Sequence, residues 1–487
     1  MTMLRKKTFT LILAFIGVSL LAACSTNPAT GERQFTALLP ADREVSLGAQ
    51  EHAKVEQTFG QFIEGPTADY VRRIGKRVAA NTERDDVTYQ FFVIDSPMVN
   101  AFAIPGGYVY VTRGLMALAN NEAELAAVIG HEIAHITARH SAERVSQGFL
   151  AQLGAVVLAT AVDSSAAARA GQLGSELYLK SYSRDQEHQA DELGVRYLHH
   201  AHYDTFAMAS FLDSMGRFTN LEAKIAGKQA PRANWFSTHP QTENRVAQAS
   251  AEAAKYSAKQ TDDGRNTYFN AINGMAYGDS AAQGFIREQT FYHTELNFTF
   301  TFPNGFEISN QPRQVVGMNE RSGAIIVFDA AKVQGSPDPY AYLTSTWMKG
   351  QNIRNPEAVT VNGKRAATAS FEATINGKRM NVQLMAVEWK PGQFYRFQVG
   401  IPRGLDNAAL DALKKSTYSL RELTANERKT IKPDRIRVVT ASSGQSVSSM
   451  ASRMAVESHK EEFFRVLNGL KANETLKAGQ KYKIITR

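Results

Sequence analysis

Hydrophobic and polar positions along the first third of the chain predict helices that flank short strands. Between residues 41 and 78 apolar side chains recur at helical spacing. They are Val45, Leu47, Val55, Phe59 and Phe62. Two β-rich runs at 87–96 and 107–112 are separated by Pro and Gly, which predicts short strands. Residues 120–145 form one predicted helix, with two asparagines as candidate caps and acidic residues in its first turn.

The next apolar run has a different pattern. Residues 148–162 are hydrophobic nearly all round, and 15 residues are too few to span a bilayer comfortably. We expect a buried helix there, and a membrane-touching hairpin is the alternative. A further helical stretch over 176–200 carries a second acidic cluster.

The second half of the chain is β-rich. Leu296, Phe298, Phe300 and Phe302 alternate with polar residues, which is typical of a half-buried strand. Further strands and two helical stretches predict an α+β domain over 285–425, whose sequence shows no catalytic constellation. The last segment, 434–487, has a strand–helix–helix–strand pattern.

Composition and charge limit the function. A chain of 487 residues is too long for one ordinary core, and 43% hydrophobic with 21% charged residues is typical of globular domains. The formal net charge is +8, but Lys and Arg are scattered and are not clustered with aromatic residues. The sequence therefore predicts a multidomain protein that does not bind nucleic acid.

The N-terminus has the pattern of an export signal. A basic Arg5-Lys6-Lys7 region precedes 13 apolar residues and the sequence Leu-Ala-Ala-Cys. This resembles a bacterial lipobox, in which 1–23 is the lipoprotein signal peptide and Cys24 is lipidated. Cys24 is the only cysteine, so no intrachain disulfide is possible. Ser25 resembles the signal for transfer to the outer membrane, which predicts a periplasmic protein anchored in its inner leaflet. Residues 24–40 are predicted to be a polar tether.

The run HEIAH lies inside the helix predicted over 120–145. His131 and His135 are four residues apart, so both imidazoles can converge on one ion from the same helix face. Zinc prefers such nitrogen ligands, and Glu132 lies where a general base for a zinc-bound water is needed. The alternative is a helix that carries polar residues by accident, which burial would make costly.

A third ligand is expected from the second acidic cluster. Glu187 and Asp191 lie one helical turn apart, so Glu187 could bind the ion while Asp191 holds the ring N–H of a ligand histidine. His188 is the competing ligand, although it lies about 100° round the helix from Glu187. His140, His199, His200 and His202 are expected at helix surfaces or helix ends.

Four runs together resemble the gluzincin family that contains HtpX, the CAAX prenyl endopeptidases and the BepA-type periplasmic lipoproteins. The runs are HEIAH at 131–135, SRDQEHQAD at 183–191, STHPQTENR at 237–245 and NAFAIPGGYVYVTRGLM at 100–116. The resemblance covers roughly residues 40–255. It implies a mainly α zincin-like peptidase domain with a small β-sheet over 41–260. His131, His135 and Glu187 would bind one Zn²⁺, and Glu132 would be the catalytic base.

The resemblance also implies roles for residues outside the helices. The strand around Gly107 to Thr112 would receive the substrate as an added β-strand. Asn100, Gly107, Tyr108 and Val109 would be the substrate-binding residues. His239 would lie at the active site. It could donate to the oxyanion of the tetrahedral intermediate, with Arg245 as a second positive group. Alternatively its neutral ring could occupy the open zinc position as a block, which we favour, and the third alternative is a surface histidine.

The last segment resembles a LysM domain, a fold that binds glycans such as peptidoglycan. The transmembrane helices of HtpX-like enzymes and the repeat domain of BepA-type proteins are missing from the sequence pattern. We therefore predict a lipid-anchored zinc endopeptidase acting on misfolded or misassembled envelope polypeptides, held at the cell wall by a LysM-like domain. The alternatives are a wall-binding scaffold or chaperone with a largely latent metal site, and a peptidoglycan hydrolase.

Overall fold

The fold is described from a computed structural model. The described residues are 24–147, 181–227, 235–240, 244–256, 263–375 and 377–487. The predicted signal peptide and the apolar run at 148–162 lie outside them. The chain divides into two compact units. Unit 1 comprises Met1–Tyr277 and Arg435–Thr486, and unit 2 comprises Gly278–Asp434 with Arg487.

The first part of unit 1 alternates helices with short strands, as the hydrophobic pattern predicts. Its strands are β1 (Cys24–Thr26), β2 (Arg33–Phe35), β3 (Phe62–Ile63), β4 (Gln90–Ile94), β5 (Ala101–Ile104) and β6 (Tyr108–Thr112). Its helices are α1 (Ala41–Phe59), α2 (Pro66–Ala79), α3 (Arg113–Leu118), α4 (Glu122–Thr137), α5 (Arg184–His200), α6 (Ala207–Ala226), α7 (Trp235–Thr238), α8 (Arg245–Ala253) and α9 (Arg265–Ile272).

A four-stranded sheet in the order β3-β4-β6-β5 supports the helices of unit 1. Strand β6 pairs parallel with β4 and antiparallel with β5, so β6 is interior and β5 is an edge strand. One close approach depends on glycine. A Cβ added at Gly48 of α1 would lie 1.9 Å from the carbonyl oxygen of Pro105, in the turn that joins β5 to β6.

Helix α4 lies in the core of unit 1. The Asn121 side chain accepts a hydrogen bond from Glu124 N and caps the helix N-terminus, as the sequence predicts. Every residue from Ala123 to Thr137 is buried. The helix therefore has no polar face in contact with solvent, and its polar side chains need partners inside the protein.

Unit 2 is an antiparallel structure. Its strands are β7 (Phe285–Arg287), β8 (Thr290–His293), β9 (Phe298–Thr301), β10 (Glu307–Gln311), β11 (Gln314–Met318), β12 (Ile325–Lys332), β13 (Arg354–Val361), β14 (Lys364–Ile375), β15 (Lys378–Lys390) and β16 (Gln393–Pro402). They form a seven-stranded sheet, β10-β11-β12-β16-β15-β14-β13, and a three-stranded sheet, β7-β8-β9. The helices are α10 (Pro339–Ala341), which continues as a π-helix over Tyr342–Trp347, α11 (Asn407–Tyr418) and α12 (Ala425–Thr430). Phe298, Phe300 and Phe302 are buried, as their alternation predicts, but Leu296 is exposed and precedes β9.

The C-terminal segment has the expected order of strand, helix, helix and strand. Its elements are β17 (Arg435–Thr440), α13 (Val447–Ser452), α14 (Lys460–Leu467) and β18 (Lys481–Thr486). The sequence predicts a separate domain here. However, Ile436, Ile484 and Ile485 share one hydrophobic core with the helices of the first part of unit 1, so the segment completes that unit.

Residues 24–40 are folded, which differs from the predicted tether. Strands β1 and β2 pair antiparallel. Asn27 and Gln34 are buried, and Arg196 of α5 donates a hydrogen bond to the carbonyl of Ala29. The polar composition that indicated a tether instead supplies hydrogen-bond partners for α5. Among the described residues, no helix combines the length and hydropathy needed to cross a membrane.

Candidate metal centre

His131 and His135 lie on the same face of α4, one turn apart, as their spacing predicts. Their Nε2 atoms are 3.1 Å apart. His131 Nδ1 is 2.9 Å from Asp191 Oδ1. Burial alone raises the pKa of Asp191, but Arg245 and the bond from His131 lower it below its usual value, so the carboxylate is ionised and only accepts. His131 therefore carries its proton on Nδ1, and its Nε2 lone pair faces His135.

The partner of His135 was not predicted. His135 Nδ1 lies 2.7 Å from Nδ1 of His140, and the His140 side chain is 1% exposed. Of the two expected positions, a helix surface is therefore wrong, whereas His140 does lie at a helix end, directly after the turn that follows α4. Arg139, between α4 and His140, has a φ of 56°, and this left-handed turn directs the chain back toward α4. A repeated histidine five residues after a ligand was the available signal, but helical spacing does not predict it.

Helix α5 carries the acidic partner of the two histidines. Ser183 caps the helix in a capping box with Gln186, which fixes the first turn that contains Glu187. Glu187 is fully buried, and its Oε1 is 3.6 Å from His135 Nε2. The competing ligand, His188, is half-buried and lies outside the group of residues placed to hold a metal.

His239 enters the same group from the end of α7. Its Nδ1 lies 3.1 Å from His131 Nε2 and 3.0 Å from Glu187 Oε1. Trp235 stacks on the ring with 4.7 Å between ring centroids, and His239 N donates to the Trp235 carbonyl. His239 is fully buried, so the alternative of a surface histidine is wrong.

Glu132 lies beside this group, with its two oxygens in different environments. Oε1 accepts a hydrogen bond from Trp235 Nε1 at 3.1 Å and is 3.5 Å from His239 Nε2. Oε2 is buried and has no hydrogen-bond partner among the described residues. Burial raises the pKa of Glu132. One oxygen thus holds the carboxylate in place while the other stays open to a proton.

Arg245 has a different position from the one predicted. Its Nε and Nη2 donate to the two oxygens of Asp191, both at 2.7 Å. Its Nη1 is 2.8 Å from Glu187 Oε2 and also faces the carbonyls of His239 and Pro240. The guanidinium is therefore engaged by buried protein groups, and the predicted role as a second positive group at an oxyanion is wrong. Arg245 instead holds two carboxylates.

The donor set fits a metal ion. Ligand atoms of His131, His135, Glu187 and His239 all lie within 4.8 Å of one another. Burial raises the pKa of Glu187 to about 7 and lowers the pKa of His239 to about 3. A buried set of lone pairs that face each other is unfavourable unless a cation is shared among them. Three imidazole nitrogens and one carboxylate oxygen are ligands that zinc prefers.

The predicted substrate strand requires correction. Tyr108 and Val109 lie on β6, which already pairs with β4 and β5, and Gly107 precedes them. An added strand cannot hydrogen-bond to an interior strand along its length. The edge strand is β5, directly after Asn100, and within the described residues no strand pairs with its outer edge. Val99, just before it, accepts a hydrogen bond from Trp235 N, which connects β5 to the metal-centre residues.

Two helical histidines, a glutamate beside the first of them and an acidic ligand from a second helix define a metallopeptidase site of the HExxH class. Residues 66–253 match the model of Peptidase family M48. This range includes every residue of the metal centre.

Two similar curated proteins are named as a protease and a metalloendopeptidase. A beta-barrel assembly-enhancing protease of Escherichia coli is 30% identical over 189 residues, which are 37% of this chain and 37% of that protein. The mitochondrial metalloendopeptidase OMA1 of Schizosaccharomyces pombe is 30% identical over 226 residues, 45% of this chain and 63% of that protein. The chain thus spans less than two thirds of each. Among solved structures, a PsbP protein of Synechocystis aligns with 28% of this chain and 92% of its own, at 13% identity and a TM-score of 0.23, which supports no conclusion.

Proposed function

We propose that the chain is a zinc-dependent endopeptidase that hydrolyses peptide bonds of misfolded or misassembled envelope proteins. The observation that carries the proposal is the convergence of His131, His135 and Glu187 beside Glu132 in a buried site. The substrate class is supported by the name of the relative from Escherichia coli, a beta-barrel assembly-enhancing protease.

Each residue has a distinct task in the proposed reaction. His131, His135 and Glu187 would hold the zinc. Bound zinc supplies Lewis acidity, which polarises a carbonyl and lowers the pKa of water. Glu132 accepts the proton of the attacking water on its open Oε2 and later donates it to the leaving amine. Trp235 keeps the Glu132 carboxylate oriented.

His239 acts as a block in this proposal. Its Nδ1 lies 3.0 and 3.1 Å from two of the ligand atoms, which is the spacing of a fourth ligand. A neutral ring is favoured because burial lowers its pKa. Substrate entry then requires movement of the chain at His239, which protects healthy neighbouring proteins from cleavage.

Substrate would bind as an added strand on the outer edge of β5 (Ala101–Ile104). Backbone pairing of this kind accepts unfolded segments with little dependence on sequence, which suits a protease of misfolded proteins. The Asn100 side chain is buried, and its Oδ1 has no hydrogen-bond partner among the described residues. It is available to a substrate N–H at the end of β5 closest to Trp235.

We further propose that lipidated Cys24 anchors the protein in the inner leaflet of the outer membrane, on the periplasmic side. The lipobox-like sequence supports this. The LysM-like segment would bind peptidoglycan. A Cys24→Ala protein that still floats with outer membranes would contradict anchoring by Cys24 alone, and pull-down on purified peptidoglycan tests the second binding.

Metal analysis tests the site. The purified chain should contain one zinc, and Glu132→Gln should keep it while casein hydrolysis falls by roughly 10² or more. His135→Ala should lose zinc because one of three helical ligands is gone. His188→Ala, on the same helix as Glu187 but outside the cluster, is the matched control and should keep zinc. Full zinc in His135→Ala would refute the assignment.

A His239→Ala variant separates the two roles of that residue. Release of a block raises basal casein hydrolysis with zinc retained. A lower rate with zinc retained indicates the oxyanion role instead. His200→Ala, an exposed histidine on α5, is the control and should leave the rate unchanged.

The buried position of His239 also favours one alternative function. If the block never opens, the chain is a scaffold or chaperone with a latent metal site. Two results together would support that function. Only the His239→Ala variant would hydrolyse casein, in a reaction that a chelator stops, and the intact chain would bind client proteins.

A further inference from the structure

The ligand His135 depends on a histidine pair for its protonation. His135 Nδ1 and His140 Nδ1 are 2.7 Å apart, and both rings are buried. One of the two nitrogens must carry the proton of this hydrogen bond. If His135 Nδ1 carries this proton, His135 Nε2 has a free lone pair for a metal ion. If His140 Nδ1 carries it, a neutral His135 has its own proton on Nε2, and that nitrogen cannot bind a metal ion.

Gln189 of α5 determines which nitrogen carries that proton. Gln189 Nε2 donates to Glu32 Oε2 at 3.1 Å, and a carboxylate can only accept. The amide oxygen therefore faces the other way, where it lies 2.8 Å from His140 Nε2. His140 must donate to it from Nε2, which leaves His140 Nδ1 to accept from His135. Because His135 donates from Nδ1 to His140, the lone pair of His135 Nε2 stays free.

The orientation of the Gln189 amide is set by the N-terminal hairpin, β1–β2. Asn27 Nδ2 donates to Gln189 Oε1 at 3.2 Å, so the oxygen has two donors and the nitrogen has one acceptor. Asn27 is itself fixed, because its Oδ1 accepts from the backbone N–H groups of Ala29 and Thr30. A reversed amide would place its oxygen against the Glu32 carboxylate and its nitrogen against the Asn27 amide.

The position of His140 is also held through Arg139, whose partners follow the hairpin in the chain. The Arg139 side chain donates to Glu44 Oε1 at 2.9 Å and to the Leu39 carbonyl at 2.7 Å, and these contacts stabilise its left-handed backbone. Tyr182 stacks on the His135 ring, with 3.6 Å between ring centroids. The Arg139 contacts and this stacking both restrict movement of the imidazole pair.

We propose that Asn27 and Glu32 of the N-terminal hairpin, acting through Gln189 and His140, hold His135 in the tautomer that binds the metal ion. The proposal rests on the proposed function, since it requires the metal centre. All four are positioning residues. It follows that metal affinity depends on the first residues of the described chain, more than 100 positions before His135 in sequence.

Two substitutions in the full chain test this series of hydrogen bonds from Asn27 and Glu32 through Gln189 and His140 to His135, which we call the relay. Gln189→Leu removes the acceptor of His140, and Asn27→Asp places an oxygen where the donor to Gln189 was. We expect each to weaken Zn²⁺ binding by roughly 10- to 100-fold, measured by competition with a chromophoric chelator. Gln50→Leu and Asn81→Asp make the same chemical changes at exposed positions, and we expect them to stay within about 2-fold of wild type.

A conservative variant distinguishes positioning from loss of packing. His140→Asn keeps an acceptor close to the place of Nδ1, whereas His140→Leu does not. We expect zinc affinity in His140→Asn to recover most of what His140→Leu loses. Equal affinities in these two variants would contradict the relay.

Ring ¹⁵N chemical shifts of zinc-free wild-type protein give a measurement without any substitution. They should place protons on His135 Nδ1 and on His140 Nε2. A proton on His140 Nδ1 would overturn the proposal whether or not the variants fold. Unchanged zinc affinity in Gln189→Leu and Asn27→Asp would also overturn it. A wild-type chain that binds no zinc would instead refute the proposed function.

Discussion

Lys483 of β18 offers a direct test of how the C-terminal segment is held. Its side chain is fully buried, and its Nζ donates to the carbonyls of Ala117, Leu118 and Ala119 at 2.8, 3.0 and 2.7 Å. These carbonyls belong to the end of α3, where the helix itself provides no donors. A positive group there also interacts favourably with the helix dipole.

Lys483→Met keeps the apolar stem and removes the ammonium. Each buried carbonyl that loses its donor costs about 1–3 kcal/mol, but the variant also no longer desolvates a charge. Burial lowers the pKa of Lys483 because of that desolvation. We therefore expect the free energy of unfolding of unit 1 to fall by about 2–4 kcal/mol.

Urea unfolding can be followed for unit 1 alone. Trp235 lies in unit 1, whereas Trp347 and Trp389 lie in unit 2, and the chain has three tryptophans. With both unit 2 tryptophans changed to Phe, fluorescence reports on unit 1. Lys481→Met is the control, because its Nζ makes one exposed hydrogen bond to Asn270, and we expect a change within about 0.5 kcal/mol. A Lys483→Met curve that overlays this control would refute the reasoning.

Three further outcomes are expected. Gly48→Ala should destabilise unit 1 by more than about 2 kcal/mol in the same urea assay, because its Cβ would overlap the carbonyl oxygen of Pro105. Asn121→Ala should cost about 1 kcal/mol there through loss of the α4 cap; no change would contradict the cap. His293, in unit 2, accepts from Leu296 N, and burial lowers its pKa to about 4. Because the unfolded ring binds protons near pH 6.5, the stability of unit 2 is full above that pH and falls toward pH 4, by about 2 kcal/mol between pH 7 and pH 5. His293→Asn should lack this component in calorimetry at the two pH values.

The sequence predicted the part of the site that depends on local spacing. His131 and His135 face one point because they are four residues apart on a helix, and the same argument identified Glu187 and Asp191 as a pair. His140 was missed because its position depends on the left-handed turn at Arg139, which helical periodicity cannot predict.

Longer-range features could not be predicted in the same way. Alternation identified β6 as a strand, but whether it is interior or an edge depends on pairing between distant segments. Arg245 looked available for catalysis because its two acidic partners lie on α5, more than 50 positions earlier. The hairpin at 24–36 has the composition of a tether, and only its contacts with α5 show that it is folded.

The discontinuous sequence of unit 1 determines the order in which the chain can fold during synthesis. Residues 278–434 leave the ribosome as one continuous stretch and contain the whole of unit 2 apart from Arg487. The core of unit 1 includes Ile436, Ile484 and Ile485, which are made only after unit 2. The nascent part of unit 1 must therefore keep apolar surface uncovered for the whole time needed to translate unit 2. The end of α3 is completed late, when β18 finally supplies the Lys483 ammonium to its carbonyls.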